Sequence, residues 1–451
     1  MAEKVTELPD LDYSGRPDFG DRVTSVRWQI CALLFVATTI NYMDRSVLGI
    51  LKPTLDDKFH WTEIQYGHIT LWFQCAYAIG ALVAGRIIDR VGVRVGYSLA
   101  VSVWSLAAIA TGSANSVIQF GFARFGLGLA EGGNFPAAIK TVGEWFPKKE
   151  RALATGIFNA GSNIGGCITP VVAVYLALHF GWRSAFVLIG VLGILWMIVW
   201  AIVYRHPAEH PNVSPAELAH IQHDPPDPSV KIPWASLLKY RALWAFAATA
   251  FFTSPVWWYY LFWTPDFLKH RFHLTQQQIE WPITAIYLIA SVGSIGGGYI
   301  SSTMIRRGFT VNMARKTAML ICALAVVPVY FAPHMTNPWA ATMLIALAAS
   351  AHQGWSANAF TLASDTFPRF AVSSVVGFGT LAGSVAAMGY SELAGHVVQW
   401  TGSFTILFAI GSSAYLFSLL IVQILLPRIE PINTAEFDVP GFPVVPPVGD
   451  E

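Results

Sequence analysis

Four ionisable residues stand inside helix-length apolar stretches of this chain. Asp44 and Arg45 are adjacent in one stretch; Arg124 and Glu131 share another, from Val117 to Ile139. Seven residues span close to two helical turns, so Arg124 and Glu131 point the same way, about 10 Å apart along the axis. A charge inside a bilayer costs at least roughly 2.5–3.5 kcal/mol on insertion scales and is normally paired and functional. Two carboxylates and two guanidinium groups make a neutral set. An anion docking on an arginine adds one negative charge, and a proton on Asp44 or Glu131 restores neutrality. Anion binding and proton uptake are thereby coupled through the same groups. Guanidinium suits an anionic guest because it binds carboxylate bidentately and stays charged. The plain structural alternative is a static network tying two helices together, although buried ion pairs seldom stabilise better than apolar packing.

The elements that must hold these groups are membrane-spanning. The chain is 54% apolar and 12% charged, with a mean hydropathy of +0.49; a soluble domain carries about 25% charged residues. A net charge of +1 gives no reason to expect a nucleic-acid partner. Cysteines 31, 75, 167 and 322 sit in separate apolar segments without metal-ligand spacing and read as small buried hydrophobes. No metal and no cofactor is expected, only a proton as coupling ion. Residues 1–25 lack the architecture of a cleaved signal, so the first apolar segment is expected to be retained and the N-terminus to be cytosolic.

Spanning windows fall at roughly 27–50, 66–88, 95–115, 117–141, 153–177 and 183–204, then at 240–265, 280–303, 314–333, 338–363, 372–397 and 402–426. The expectation is a twelve-helix, all-α membrane protein in two six-helix bundles, 26–204 and 240–427. A linker over 205–239 joins them, with tails at 1–25 and 428–451. Sixteen Lys and Arg fall in the loops on the side of the N-terminus against five on the other, which puts both termini in the cytosol of an inner-membrane protein. Ser214-Pro215-Ala216-Glu217 reads as a capping box opening a short linker helix. The halves repeat: Glu144, Phe146, Pro147, Lys148 and Gly156 recur at an offset of 221 as Asp365, Phe367, Pro368, Arg369 and Gly377. Internal repeats with a solute site between the halves are a signature of secondary transporters.

Several motifs carry a family resemblance. Gly85-x3-Asp89-Arg90-x-Gly92-x-Arg94 resembles the loop motif of the major facilitator superfamily, with Val93 at an expected basic position. Asn41 to Arg45, Arg124-x6-Glu131 and Glu144 to Arg151 resemble its anion:cation symporter branch. The runs from His352 to Asn358 and from Trp257 to Trp263 are similar to the bacterial hexuronate transporters within that branch. Where that group carries a Lys and two Asp residues, this chain has Ala250, Ser254 and Ser291.

The resemblance implies roles. Arg45 takes the substrate carboxylate, Asp44 and Glu131 carry protons, and Arg124 holds or releases a carboxylate as protonation changes. Arg124 and Asp44 are expected at similar depth, with Glu131 two turns further in. Hydroxyl partners are expected from Tyr42, Tyr77, Asn159, Ser162, His352, Gln353, Ser356 and Asn358; Trp355 and Tyr259 could stack on a sugar face. Asp89, Arg90, Arg94, Glu144 and Arg151 read as an inner gate, or as nothing more than the positive-inside signal. The implied activity is import of a monoanionic sugar acid, most readily a hexuronate, by proton symport, in a chain expected to act as a monomer. An aldonate, aldarate or aromatic acid is the nearby alternative, and proton-antiport efflux the distant one.

Overall fold

The computed structural model describes residues 24–223, 234–367 and 369–432. Most of both tails and positions 224–233 of the linker lie outside the described residues. The first half runs α1 (Val26–Phe59), α2 (Glu63–Val91), α3 (Val93–Ser113), α4 (Val117–Glu131), α5 (Asn134–Trp145), α6 (Lys148–Phe180) and α7 (Arg183–Val203). The linker carries α8 (Pro215–Ile221) and α9 (Trp234–Leu237). The second half runs α10 (Arg241–Phe272), α11 (Gln276–Arg306), α12 (Val311–Val326), which continues as a 3-10 turn to His334, α13 (Pro338–Thr366), α14 (Arg369–Thr401) and α15 (Thr405–Leu425). Eleven of the twelve expected windows each fall on one of these helices, α12 with its 3-10 continuation counted as one, and the window at 117–141 falls on two.

Local chemistry sets the boundaries. Thr62 and Thr275 close capping boxes with Gln65 and Gln278 at the starts of α2 and α11, and Ser116 caps α4. The 221-residue offset holds for whole helices. Subtracting it from 369 and 401, the bounds of α14, gives 148 and 180, the bounds of α6. α13, from 338 to 366, maps onto 117 to 145, the stretch covered by α4 and α5 together. Packing repeats too: α1 lies on α6 as α10 lies on α14, and α2 on α4 as α11 on α13. The halves meet where α2 packs on α14, α6 on α11 and α1 on α10.

Three features differ from the sequence expectation. The window at 117–141 is two helices, parted at Gly132 and Gly133. A Cβ on Gly132 would stand 2.4 Å from the Ala81 nitrogen and 2.8 Å from the Tyr77 oxygen, so the break lies where the chain presses against the α2 backbone. α1 runs nine residues past its expected end at 50, carrying Lys52 into the protein; that lysine, counted above as a loop charge, is 0% exposed. Finally, the capping box expected at Ser214 forms only in part: Ser214 Oγ accepts from the Glu217 amide, but the Ser214 amide donates to Thr24 Oγ1 and not to Glu217. The buried Glu217 carboxylate accepts from the Val26 and Arg27 amides and from Arg27 Nη1, capping α1 from the linker. α1 has no side-chain cap of its own.

Among the described residues, seven of the helices are long and apolar enough to be read as spans by themselves. α1, α4, α10 and α13 are not among them. α1, α4 and α13 bring most of the polar groups of the site and α10 its tryptophans, while α2 adds Tyr77, α6 Asn159 and Asn163, and α15 Tyr415.

Candidate functional site

Arg45 is the centre of the site. Its Nε and Nη2 donate to Glu131 Oε2 at 3.2 and 3.1 Å, and Nη2 also donates to Asn41 Oδ1 at 3.2 Å. The guanidinium lies among the rings of Tyr77, Tyr42 and Trp258, with centroids 4.6, 4.7 and 5.1 Å away. Aromatic faces favour a cation and shield it from water. Both members of the ion pair are buried, at 3% and 0% exposure.

Beside this pair, polar capacity is left over. Among the described residues neither carboxylate oxygen of Asp44 has a hydrogen-bond partner, and Glu131 Oε1 has none. Arg124 donates from Nη1 to the Asp44 carbonyl at 2.9 Å, while its Nε and Nη2 are unpartnered. Arg124, expected to hold or release a carboxylate as protonation changes, holds backbone in this conformation. The carboxylate of α4 goes to Arg45, because Glu131 is the last residue of α4 before the break and α1 passes across that end.

The second half supplies a neutral polar wall. His352 Nδ1 lies 2.6 Å from the Tyr415 hydroxyl, its Nε2 lies 3.3 Å from Ser356 Oγ, and its ring stacks on Trp257 at 5.1 Å. Gln353 donates to Asn163 Oδ1 at 3.2 Å, joining α13 to α6 across the halves. Asn159, one turn from Asn163 on the same face of α6, is exposed. Ser162 is turned onto its own helix and donates to the Asn159 carbonyl at 2.7 Å. Adjacent Trp257 and Trp258 link the two parts, one on His352 and the other on Arg45.

Three expected contact residues sit elsewhere. Trp355 is 0% exposed and packs edge-on against Tyr415 at 5.4 Å, inside the second half. Asn358 donates to the Gly297 and Gly354 carbonyls at 3.0 and 2.9 Å, a bond between α11 and α13 that commits its amide to packing. Tyr259 is buried among Tyr390 and Phe408. In each case the helical register turns the side chain to the interior of its own half. Trp258, part of the aromatic run noted from Trp257 to Trp263, lies on Arg45, and Tyr415 takes up a position that was not singled out. The serines around Tyr415, at 412, 413 and 418, were the available signal of a polar-edged face in an otherwise apolar window.

The expected gate residues bond within the first half. Lys140 donates to Asp89 at 2.7 Å, Arg94 donates to the Ala201 carbonyl, Tyr204 donates to Glu144 at 2.6 Å, and Arg151 donates to the Phe146 carbonyl at 3.0 Å. Arg90 is exposed. Nearby, burial works against ionisation of Glu150, but hydrogen bonds from Arg27 and His220 outweigh it and hold that carboxyl below its usual range.

A buried arginine–carboxylate pair between helices of one half, facing a neutral polar wall across a repeat interface, fits a solute carrier. The sequence model of the Major Facilitator Superfamily matches residues 34–391. This chain belongs to that superfamily. It is a multi-pass membrane transporter and not an enzyme. It is 29% identical over 423 residues to the hexuronate transporter of Escherichia coli K12, covering 92% of this chain and 97% of that one. It is 30% identical over 336 residues to the galacturonate transporter of Dickeya chrysanthemi, covering 73% and 97%. Among solved structures, a D-xylose–proton symporter superposes with a TM-score of 0.70 at 14% identity, over 90% of this chain and 99% of that one, which speaks for the superfamily fold.

Proposed function

We propose that this transporter imports a monoanionic sugar acid, a hexuronate first of all, by proton symport through alternating access. The observation that carries the reading is the double demand on Arg45. Its fork is held by Glu131 at 3.1 and 3.2 Å, and the same fork is what a substrate carboxylate would need. An arriving anion must displace Glu131, which then stands buried and unpaired, a costly state that a proton relieves. Asp44, already without a donor among the described residues, is the second proton position. Arg124 keeps two free donors in reserve for whichever carboxylate is charged. Two relatives named for hexuronate and galacturonate support the substrate class. So does a second-half wall of His352, Ser356, Tyr415 and Gln353, which offers hydroxyl partners without a further cation for a second carboxylate. The excess of Lys and Arg on the linker side supports a reading with both termini in the cytosol.

The test is uptake of labelled glucuronate and galacturonate into proteoliposomes, with and without an inward proton gradient. Gradient-stimulated uptake abolished by a protonophore is expected. Uptake indifferent to the gradient would remove the symport mechanism; uptake of aldonates or aldarates alone would move the substrate.

A further inference from the structure

At the end of the bundle away from the linker, the two halves are joined by a compact charged cluster that the solute site does not use. Lys52 Nζ lies 2.6 Å from Asp56, 3.1 Å from Glu63 and 2.5 Å from Asp266. His270 Nε2 lies 3.4 Å from Asp266 and 3.7 Å from Glu63. Lys52 and Asp56 come from α1, Glu63 from α2, and Asp266 and His270 from α10, so the cluster spans the interface. Around it, Lys269 of α10 pairs with Asp57 of α1 at 2.6 Å, a neutral addition. The Tyr66 ring of α2 lies 5.1 Å from Lys52, and α14 presents Gln399, which accepts from the Glu63 amide. The next titratable set, Glu392 of α14 with His68 and His396, pairs within itself at 2.9 and 3.5 Å.

The charges in the cluster do not balance. Three carboxylates face one ammonium, and with His270 neutral two negative charges are left over; with His270 protonated, one remains. One oxygen of each carboxylate, Asp56 Oδ1, Glu63 Oε2 and Asp266 Oδ2, is buried without a hydrogen-bond partner among the described residues. Carboxylates crowded in a desolvated site share a proton rather than stand ionised together. Lys52 Nζ fills the centre of the group, where a divalent cation would have to sit, which favours protons over metal as the missing charge. A cavity of about 480 Å³, lined by Asp57, Lys269, His270 and His273 among others, borders the cluster through His270 and gives the medium a way in.

We propose that this cluster is a second proton-binding site, distinct from Asp44 and Glu131, whose ligand is a proton from the medium at that end. Closing the end brings Asp266 and His270 onto Lys52, Asp56 and Glu63, and the closed cluster takes up a proton. Opening parts α10 from α1 and α2, hydrates the carboxylates and returns the proton to the same side. The site therefore adds nothing to net proton transport. It makes the closed state more populated as that medium becomes more acidic, by about tenfold per pH unit for each proton taken up.

The experiment needs no substrate, so its outcome is separate from that of the symport reading. Spin labels are placed at Ser113→Cys and Thr336→Cys, exposed positions on α3 and before α13, in protein whose native cysteines are replaced. Asp44→Asn and Glu131→Gln silence the central groups. Distance distributions are recorded from pH 5 to 9. The short-distance population is expected to rise as pH falls, and Glu63→Gln to flatten that response by raising the closed fraction at high pH. His270→Gln, at a half-exposed position, is expected to reduce the slope independently. Loss of the pH response with the central substitutions alone would overturn the proposal. So would a response unchanged by both Glu63→Gln and His270→Gln.

Discussion

Replacing Glu131 by glutamine keeps the shape of the Arg45 partner and removes its charge. Two charge-assisted bonds, at 3.1 and 3.2 Å, become bonds to a neutral acceptor. Charge-assisted bonds are roughly twice as strong as neutral ones, so each bond weakens by about 0.5–1.5 kcal/mol and the pair by about 1–3 kcal/mol. That is the cost a substrate carboxylate no longer meets when it displaces residue 131. Binding of glucuronate to the purified Glu131→Gln protein at neutral pH is expected to tighten by roughly 5–150-fold. Its pH dependence is expected to flatten, because the competitor that a proton would neutralise is gone. Transport should divide: counterflow exchange survives, while accumulation driven by a proton gradient is lost. The substitution also leaves Arg45 without a counter-ion, so thermal stability in detergent should fall and recover on adding the anion. Unchanged or weaker binding, or accumulation that still follows the gradient, would refute the competition for Arg45.

Other substitutions test separate parts of the argument. Arg45→Lys loses the fork and its fit among Tyr42, Tyr77 and Trp258; substrate affinity measured by equilibrium binding should fall at least about tenfold, or about 1.4 kcal/mol. Gly132→Ala sets a methyl 2.4 Å from the Ala81 nitrogen, a backbone contact that cannot swing aside. It should cost about 1–3 kcal/mol and displace Glu131, seen as a lower melting temperature together with weaker gradient-driven uptake. Glu217→Ala strips the cap from α1 and should lower stability by about 1–3 kcal/mol, while leaving the affinity of folded protein for substrate unchanged in the same binding assay.

The spans and their repeat were legible because both rest on hydropathy and spacing, which survive in a linear reading. The offset of 221 was visible in five positions and extends to the bounds of whole helices. Arg45, Glu131, Tyr42 and Tyr77 were found because charges and polar-tipped aromatics are conspicuous in apolar segments, and the structure gathers them. Pairing was harder. Arg124 and Glu131 do share one helix, α4, but that it breaks straight after Glu131 depends on how closely α2 approaches Gly132, a tertiary fact. Trp355, Asn358 and Tyr259 show the same limit: residue type marked them as polar or aromatic, while rotation about the helix axis decides whether they face the solute path or their own half. Lys52 was hidden for another reason. A lysine just past an apolar window looks like a loop charge until its three carboxylates, one of them 214 residues away, are seen around it.

The cap that Glu217 places on α1 bears on where this polypeptide can be divided. Linkers between repeated halves invite splitting, so that each half is made as its own chain and the two reassemble. Here the first half extends past α7: a break after His223 leaves Glu217 with the Val26 and Arg27 amides it serves, whereas a break before Ser214 hands that carboxylate to the other fragment. Only the later cut gives a first fragment that carries its own helix terminator, and with it a defined start for the helix that holds Asp44 and Arg45.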